Sequence, residues 1–232
     1  MKRLKLIINV VLVSLVCICT YKVLDRNVKY EKANKMYENI RAEKEYIQEN
    51  IGQESFQIDY EDYRGWIKIN TTNIDYPMVQ GKDNSYYLNR NIEGEYVIAG
   101  SIFMNYTNNG FSDKNTILFG HNMKDGTMFA DLNKYKQKDF FYGDYIIEVE
   151  TYNGDQLKYE VFSVYTTDVK DHYIIPNFDS NNEYKQFLNK IKDKSMYQSD
   201  IEIGVADKII TLSTCATNFT DKRLVIHGKL KT

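Results

Sequence analysis

The chain from Phe56 onward is a series of short segments rich in β-branched and aromatic residues, each bounded by turn residues. Segments of this kind are typical of β-strands. The Asn153-Gly154 pair between two of them is a strong signal for a tight β-hairpin. Tyrosine is abundant, with 20 residues, and proline is rare, with 2, which favours an ordered β-rich domain over disorder. The eight predicted strands lie in GWIKIN, NIDYPMVQ, YVIAGSIFM, NTILFGHN, DYIIEVETY, DQLKYEVFSVYTT, KIITLSTC and RLVIHGKL.

Eight short strands with few helices between them predict a mainly β fold, a closed or nearly closed β-barrel, over residues 56–232. Two helices are expected inside this domain. A short one lies in TMFADLNKYKQKDFF, and a longer one lies in EYKQFLNKIKDKSMY, where apolar residues recur at helical spacing. The longer helix belongs to the extended connection between Thr166 and Ser199. Long insertions between strands commonly serve binding.

A charged helical segment, residues 25–55, is expected before the barrel. Within residues 28–51 the apolar residues recur at helical spacing, which predicts an amphipathic helix. A solvated stalk would show the same charge content, but tyrosines and isoleucines in the apolar stripe favour packing against the barrel. The stripe consists of Tyr30, Ala33, Met36, Tyr37, Ile40 and Ile47.

The N-terminus, MKRLKLIINVVLVSLVCICTYKVL, carries a basic start and an apolar run. Residues 1–5 are predicted to be cytoplasmic and residues 6–24 to form a transmembrane signal anchor, with Lys5 and Lys22 snorkelling to the interfaces. A cleaved signal peptide is the alternative, but no clear small-residue cleavage site follows the run. The basic start places the N-terminus in the cytoplasm, and therefore the remaining chain outside the cell membrane.

The charge balance of the external part is mildly acidic. All 32 acidic residues and 26 of the 30 basic residues follow Leu24, which leaves a formal charge of −6. This balance gives no electrostatic reason to expect nucleic acid as a partner.

Cys215 is the only cysteine of the external part, because Cys17 and Cys19 lie in the apolar run. A single external cysteine cannot form an internal disulfide. It is therefore either a buried, inert thiol or a reactive one.

A reactive thiol needs a base or an imidazolium partner, and the chain has three histidines. His121 follows an apolar strand and a glycine, where a side chain can reach the rim of a barrel. His227 lies inside a predicted strand, about 13 Å along it from Arg223, and His172 lies on the long connection. We favour His121 as the partner of Cys215, with the other two as weaker alternatives.

Arg223 begins the strand that follows Cys215, after a loop of seven residues, 216–222. If the two strands pair as a hairpin, Arg223 and Cys215 lie side by side at one rim. A guanidinium group there can donate hydrogen bonds to a carbonyl or to a developing oxyanion. Taken alone, Arg223 is better explained as an exposed arginine flanking a turn, and only its occurrence together with Cys215 and His121 shifts the balance toward a site residue.

TLSTC with Arg223 after it and GHN before it resembles the sortases, membrane-anchored cysteine transpeptidases of Gram-positive bacteria. GWIKINTTNIDYPMVQGKDNSYYLNRN, AGSIFMNY and NTILFGHNMKDGTMF are similar to class B sortases in particular. The resemblance covers about Tyr60 to Leu230. It implies an eight-stranded sortase-type β-barrel with an N-terminal helix and a helix-bearing insertion before the last strands. It also implies that no metal and no other cofactor is needed.

The resemblance implies a Cys-His-Arg site: Cys215 as nucleophile, His121 as acid and base, and Arg223 as the residue that holds the oxyanion or positions the substrate. One departure concerns Thr217, which stands where some class B members have an acidic residue. The nearest acid, Asp221, is interpreted as a solvated loop charge. The residues that the resemblance places at the peptide groove are Ser213, Ala216, Asn84, Leu88, Tyr173 and Ile174.

The implied reaction is transpeptidation at the cell surface. A surface protein with a C-terminal sorting signal is cleaved after threonine through a thioester, and it is then joined to an amine of a peptidoglycan cross-bridge or to a pilin lysine. Signals of the Asn-Pro-any-Thr-Asn and Pro-any-Thr-Gly types both occur in the class. A cysteine peptidase that only hydrolyses its substrate and a non-catalytic surface binding module are the alternatives.

Overall fold

The computed structural model describes residues 2–50, 58–143, 145–215 and 221–231, and for Lys2 and Cys215 the backbone alone. A long helix, α1, precedes eight strands, a four-residue helix, α2, and one longer helix, α3. Two 3₁₀ segments, Tyr86–Asn89 and Ala130–Lys136, lie in the connections. The bounds are α1 Lys2–Asn50, β1 Tyr63–Ile69, β2 Asp75–Val79, β3 Ile102–Met104, β4 Asn115–His121, α2 Lys138–Phe141, β5 Ile146–Thr151, β6 Gln156–Asp168, α3 Asn181–Asp193, β7 Ile209–Cys215 and β8 Lys222–Leu230.

The strands form a closed barrel in the order β1-β2-β3-β4-β7-β8-β6-β5. Two neighbouring pairs, β2 with β3 and β4 with β7, are parallel, and the other pairs are antiparallel. Each of the eight predicted segments overlaps one strand, and the Asn153-Gly154 hairpin joins β5 to β6. The prediction of a closed eight-stranded barrel is confirmed. The two helix predictions inside the domain are matched by the Ala130–Lys136 and α2 segments and by α3.

Strand β3 is shorter than the segment YVIAGSIFM that predicted it. Gly100 has a positive φ of 60°, and a Cβ at this position would lie 2.4 Å from the carbonyl oxygen of Leu88. The chain therefore turns tightly at Gly100 against the 3₁₀ segment, and extended pairing begins only at Ile102.

Both faces of the sheet are buried where β4, β7 and β8 lie side by side. The inward side chains, among them Leu118, Leu212 and Ile226, join the core of the barrel. The outward side chains of β7 and β8 are covered by α3 and the β6–β7 connection, and those of β4 by the Tyr86–Asn89 segment. Burial on both faces explains why these strands read as nearly continuous apolar runs.

Helix α1 packs on the barrel with the stripe expected from the sequence. Ala33 and Tyr37 are buried in the barrel core, and Tyr30, Met36 and Ile40 pack around them. The Tyr37 hydroxyl donates a hydrogen bond of 2.7 Å to the Gly100 carbonyl, and it lies 3.2 Å from Ser101 Oγ. The stalk alternative is therefore wrong for this part of the helix.

The N-terminal part of α1 is long and apolar enough to cross a membrane, and its most apolar window is not buried in the protein. By length and composition it is a candidate membrane anchor. The predicted boundary at residues 55 and 56 lies outside the described residues.

We expect Tyr37→Phe to lower the free energy of unfolding by about 1–2 kcal/mol, because the substitution leaves the Gly100 carbonyl buried without its donor. The measurement is urea unfolding of the full chain in detergent micelles, followed by fluorescence of Trp66, the only tryptophan. Tyr46→Phe is the matched control, since Tyr46 is 63% exposed on the same helix. Equal effects of the two substitutions would contradict the anchoring role of Tyr37.

Candidate active site

Three strand ends bring His121, Cys215 and Arg223 into one row. In the parallel β4–β7 pair, His121 is the register partner of Cys215. In the antiparallel β7–β8 pair, Ser213 lies opposite Val225, and the same register carried two residues further places Arg223 opposite Cys215. The backbone N–H of Leu224 donates to Thr214 Oγ1 at 3.1 Å, which keeps the two strands together at this end. Residues directly opposite one another share a face of the sheet, so all three belong to its outer face.

His121 is held by the carbonyl group of Leu88, whose oxygen lies 2.6 Å from Nε2. A carbonyl oxygen only accepts, so Nε2 carries the hydrogen. Nδ1 is buried and has no hydrogen-bond partner among the described side chains. The neutral ring therefore has its free lone pair on Nδ1, the nitrogen available for proton transfer.

The environment of His121 disfavours the imidazolium form. Burial lowers the pKa of His121, and the nearby positive charge of Arg223 lowers it further, while the hydrogen bond to Leu88 opposes both effects. His121 is accordingly neutral at physiological pH, in a form that can accept a proton.

Arg223 presents an unused donor at the row. Its side chain is partly buried, and Nη1 is buried without a hydrogen-bond partner among the described residues. Unsatisfied buried donors are rare in folded proteins, and each one calls for an explanation. A guanidinium N–H without a partner can donate to a carbonyl oxygen or to an oxyanion.

The two other histidines lie elsewhere. His227 is fully buried and lies opposite Thr211 in the β7–β8 pair, two register positions from Ser213. Its Nδ1 lies 2.8 Å from Thr211 Oγ1, and its Nε2 lies 3.0 Å from the Tyr165 hydroxyl. Burial lowers the pKa of His227 to about 3. Both ring nitrogens are occupied, so His227 is a hydrogen-bonded core histidine. His172 is exposed on the β6–β7 connection.

Two segments flank the row on the outer face of the sheet, and we call them its walls. One wall is the Tyr86–Asn89 segment, which includes Leu88, and the other is the β6–β7 connection with Tyr173 and Ile174. Ser213 lies in the buried floor, 2.9 Å from the Tyr173 hydroxyl, while Ile174 is 39% exposed. The structure therefore places these four predicted groove residues around the row.

Asn84 has a structural partner. Its Nδ2 donates to Asn105 Oδ1 at 2.7 Å, and its Oδ1 accepts from the Tyr106 backbone N–H at 3.0 Å, so the side chain ties the wall to the β3–β4 loop. Asp221 is exposed, as expected. Ala216 and Thr217 lie outside the described residues.

Sequence reasoning missed Asp171, which holds the Tyr173 wall in place. Its carboxylate accepts hydrogen bonds from Thr167 at 2.7 Å, from Lys190 at 2.9 Å and from Lys194. Burial raises the pKa of Asp171, but these bonds outweigh that effect and hold the pKa well below its usual range. Lys190 also donates to the carbonyl of His172 at 3.2 Å. The spacing of Lys190 and Lys194 on one face of α3 was the available signal, but the sequence does not show which acid they meet.

No group of three or more His, Cys, Asp and Glu side chains is arranged to hold a metal ion in the described part of the chain.

We expect the pKa of His121, measured by NMR in a Cys215→Ala background, to lie below 6.5 and to rise in Arg223→Gln, because the substitution removes a neighbouring positive charge. Arg223→Lys retains the charge and should leave the pKa close to the value of the parent variant. The His227 resonance serves as an internal control and should not titrate above pH 5. An unchanged His121 pKa in Arg223→Gln would show that the two side chains are not electrostatically coupled.

Comparison with known proteins assigns the family. A model of the Sortase domain matches residues 67–231. Sortase B of Listeria monocytogenes is 46% identical over 174 residues, which are 74% of this chain and 70% of that protein. Sortase B of Staphylococcus aureus is 38% identical over 241 residues, covering 99% of this chain and 98% of that protein. A solved structure, a Staphylococcus aureus sortase B-substrate complex, superposes with a TM-score of 0.80 at 35% identity, covering 88% of this chain and 99% of that one. The chain therefore belongs to the sortase family of transpeptidases, in class B.

Proposed function

We propose that this chain cleaves the C-terminal sorting signal of a surface protein after a threonine, holds the product as a thioester on Cys215, and transfers it to an amine. The observation that carries the proposal is the row of His121, Cys215 and Arg223 on three adjacent strands. The family supplies the reaction class, and this row supplies residues able to perform it. The similarity to a Staphylococcus aureus sortase B-substrate complex supports substrate binding by this chain.

Acylation begins with proton transfer from Cys215 to Nδ1 of His121, the nitrogen that the Leu88 contact leaves free. The thiolate then attacks the carbonyl carbon of the threonine, and the C=O electron pair becomes an oxyanion. Arg223 stabilises that oxyanion through its unused donor. When the oxyanion collapses, the C–N bond breaks, and the imidazolium of His121 gives its proton to the leaving amine.

Deacylation repeats these steps in reverse with a new amine. His121, again neutral, takes a proton from the acceptor amine as that amine attacks the thioester carbon. The C–S bond breaks, and the Cys215 thiolate recovers its proton from His121. The products are a new amide and the starting enzyme, so the two half-reactions predict ping-pong kinetics. An amine of a peptidoglycan cross-bridge and a pilin lysine are the two acceptors proposed.

The apolar start of α1 is proposed to be a single-pass anchor, residues 6–24, with residues 1–5 in the cytoplasm and the barrel outside the cell. The basic residues at the start support this orientation. The barrel domain is assigned to residues 56–232 and the helical segment that packs on it to residues 25–55.

The motif that the groove accepts is best found with a peptide library, with cleavage read by mass spectrometry. The library should include signals of the Asn-Pro-any-Thr-Asn and Pro-any-Thr-Gly types. The peptide that it selects is the substrate for the experiments below.

We expect Cys215→Ala to abolish cleavage of the selected peptide and the mass shift of the acyl-enzyme, because the variant has no nucleophile. Arg223→Lys should lose about 100-fold in kcat/KM, since a lysine keeps the charge but loses the guanidinium fork. His172→Ala is the control and should match the wild type. Full turnover by Cys215→Ala would refute the nucleophile assignment.

The same assay separates the alternatives. With an added amine, a transpeptidase gives the amide product at the expense of the hydrolysed peptide. Hydrolysis with every amine tested would favour a peptidase, and an absence of any acyl-enzyme would favour a binding module.

Asp171→Asn should raise KM for the selected peptide roughly 3- to 10-fold and change kcat little, because it weakens two lysine contacts that hold the Tyr173 wall. Asp193→Asn, an exposed position on α3, is the matched control. A loss confined to kcat would contradict a positioning role for Asp171.

A further inference from the structure

We propose that the barrel end that carries His121, Cys215 and Arg223 faces the membrane, and that α1 is a strut that sets the height of this end above the bilayer. The inference rests on the proposed function and on the proposed anchor. It adds an orientation of the site relative to the bilayer and a height at which α1 holds it.

The contacts of α1 follow a definite order along the helix. Asn34 Nδ2 donates to Asp125 Oδ2 at 3.3 Å, and Asp125 belongs to the loop that directly follows His121. Tyr37 contacts Gly100 and Ser101, which precede β3. Because β3 runs antiparallel to β4, the start of β3 lies beside the end of β4. The contacts nearest the apolar run are therefore made with the catalytic end of the barrel.

Further along the helix, α1 reaches toward the other end. Lys44 forms an ion pair of 2.8 Å with Glu150, near the end of β5, and the two side chains are only 12% and 6% exposed. The β5–β6 hairpin follows directly. This hairpin lines a cavity together with Gly110 and Ser112, before β4, and Lys208, before β7. Since β4 and β7 end at the catalytic row, the hairpin marks the opposite end of the barrel.

The rise per residue of an α-helix gives the distance of each contact along α1 from the end of the apolar run. The helix is continuous from Lys2 to Asn50 and rises about 1.5 Å per residue. Asn34 thus lies about 15 Å along the helix axis from Leu24, where the apolar run ends, and Lys44 lies about 30 Å from it. Ala33 and Tyr37, buried in the core, and the Lys44–Glu150 ion pair fix the helix to the barrel at both ends of this stretch.

The height of the row limits how many residues of a membrane-held substrate are needed between the bilayer and the site. A peptide bound across the row at a height of about 15 Å is within about five extended residues of the bilayer, since a strand advances about 3.3 Å per residue. A rigid strut therefore favours a substrate whose own membrane segment begins a few residues from the scissile bond. A free peptide in solution does not depend on the length of the strut.

The orientation can be measured without any activity. In the full chain with Cys17, Cys19 and Cys215 replaced by alanine, a single donor dye is attached through Lys124→Cys, beside the catalytic row, or Asn153→Cys, in the hairpin. Both positions are exposed. With acceptor dyes on lipid headgroups of a nanodisc, we expect stronger energy transfer from position 124. Equal transfer, or stronger transfer from position 153, would overturn the proposal.

The strut is tested by inserting seven helix-favouring residues between Val28 and Lys29. Seven residues are almost two turns, so the part of α1 before the insertion keeps its rotation about the helix axis relative to the barrel, while the helix lengthens by about 10 Å. The substrate is the library-selected peptide joined by a short spacer to a hydrophobic span in the same liposome, and the control is the same peptide free in solution.

The insertion should lower turnover of the bilayer-held substrate at least tenfold and leave the free peptide within twofold of wild type. Three residues added to the spacer, about 10 Å when extended, should restore turnover. Undiminished turnover of the short-spacer substrate would refute the strut. Absence of turnover with the free peptide in the wild type would instead refute the proposed function, while the dye measurement would still stand.

Discussion

The site depends on the parallel pairing of β4 with β7. Seven consecutive register pairs, from Asn115↔Ile209 to His121↔Cys215, bring together two strands that are far apart in the chain. A slip of one residue would turn Cys215 to the opposite face and away from His121. Antiparallel pairing of β8 with β7 then places Arg223 in the same row. The three residues are thus brought together by backbone register.

The two walls beside this row are connections that are hydrogen-bonded to residues of the sheet. The carbonyl group of Leu88 accepts a hydrogen bond from His121, and the hydroxyl of Tyr173 is hydrogen-bonded to Ser213. Asp171 holds the same connection against α3. These contacts couple the position of each wall to residues beside the row. The Leu88 segment and the Tyr173 connection are therefore each held by a hydrogen bond to a residue of the sheet, His121 and Ser213 respectively.

Local patterns were sufficient to predict the elements of this fold. Short segments rich in β-branched and aromatic residues, bounded by turn residues, predicted every strand, and the apolar stripe on α1 predicted its packing on the barrel. The order of strands, with β4 beside β7, depends on pairing between distant segments and cannot be read from periodicity. The partners of Asp171 were hidden for the same reason, since Lys190 and Lys194 belong to another element. Gly100 shortened β3 through a close approach to Leu88 that only the folded chain creates.

His121 and His227 show what separates a candidate catalytic histidine from a structural one on the same face of the sheet. Both are removed from water, and burial lowers the pKa of each. At His227, Thr211 and Tyr165 occupy both ring nitrogens, so neither nitrogen is free to take part in proton transfer with another group. At His121, one nitrogen is fixed by a carbonyl group, and the other has no hydrogen-bond partner among the residues that the structure describes. Burial makes both rings neutral, but only the ring with an open nitrogen can accept the proton of a thiol and return it to an amine.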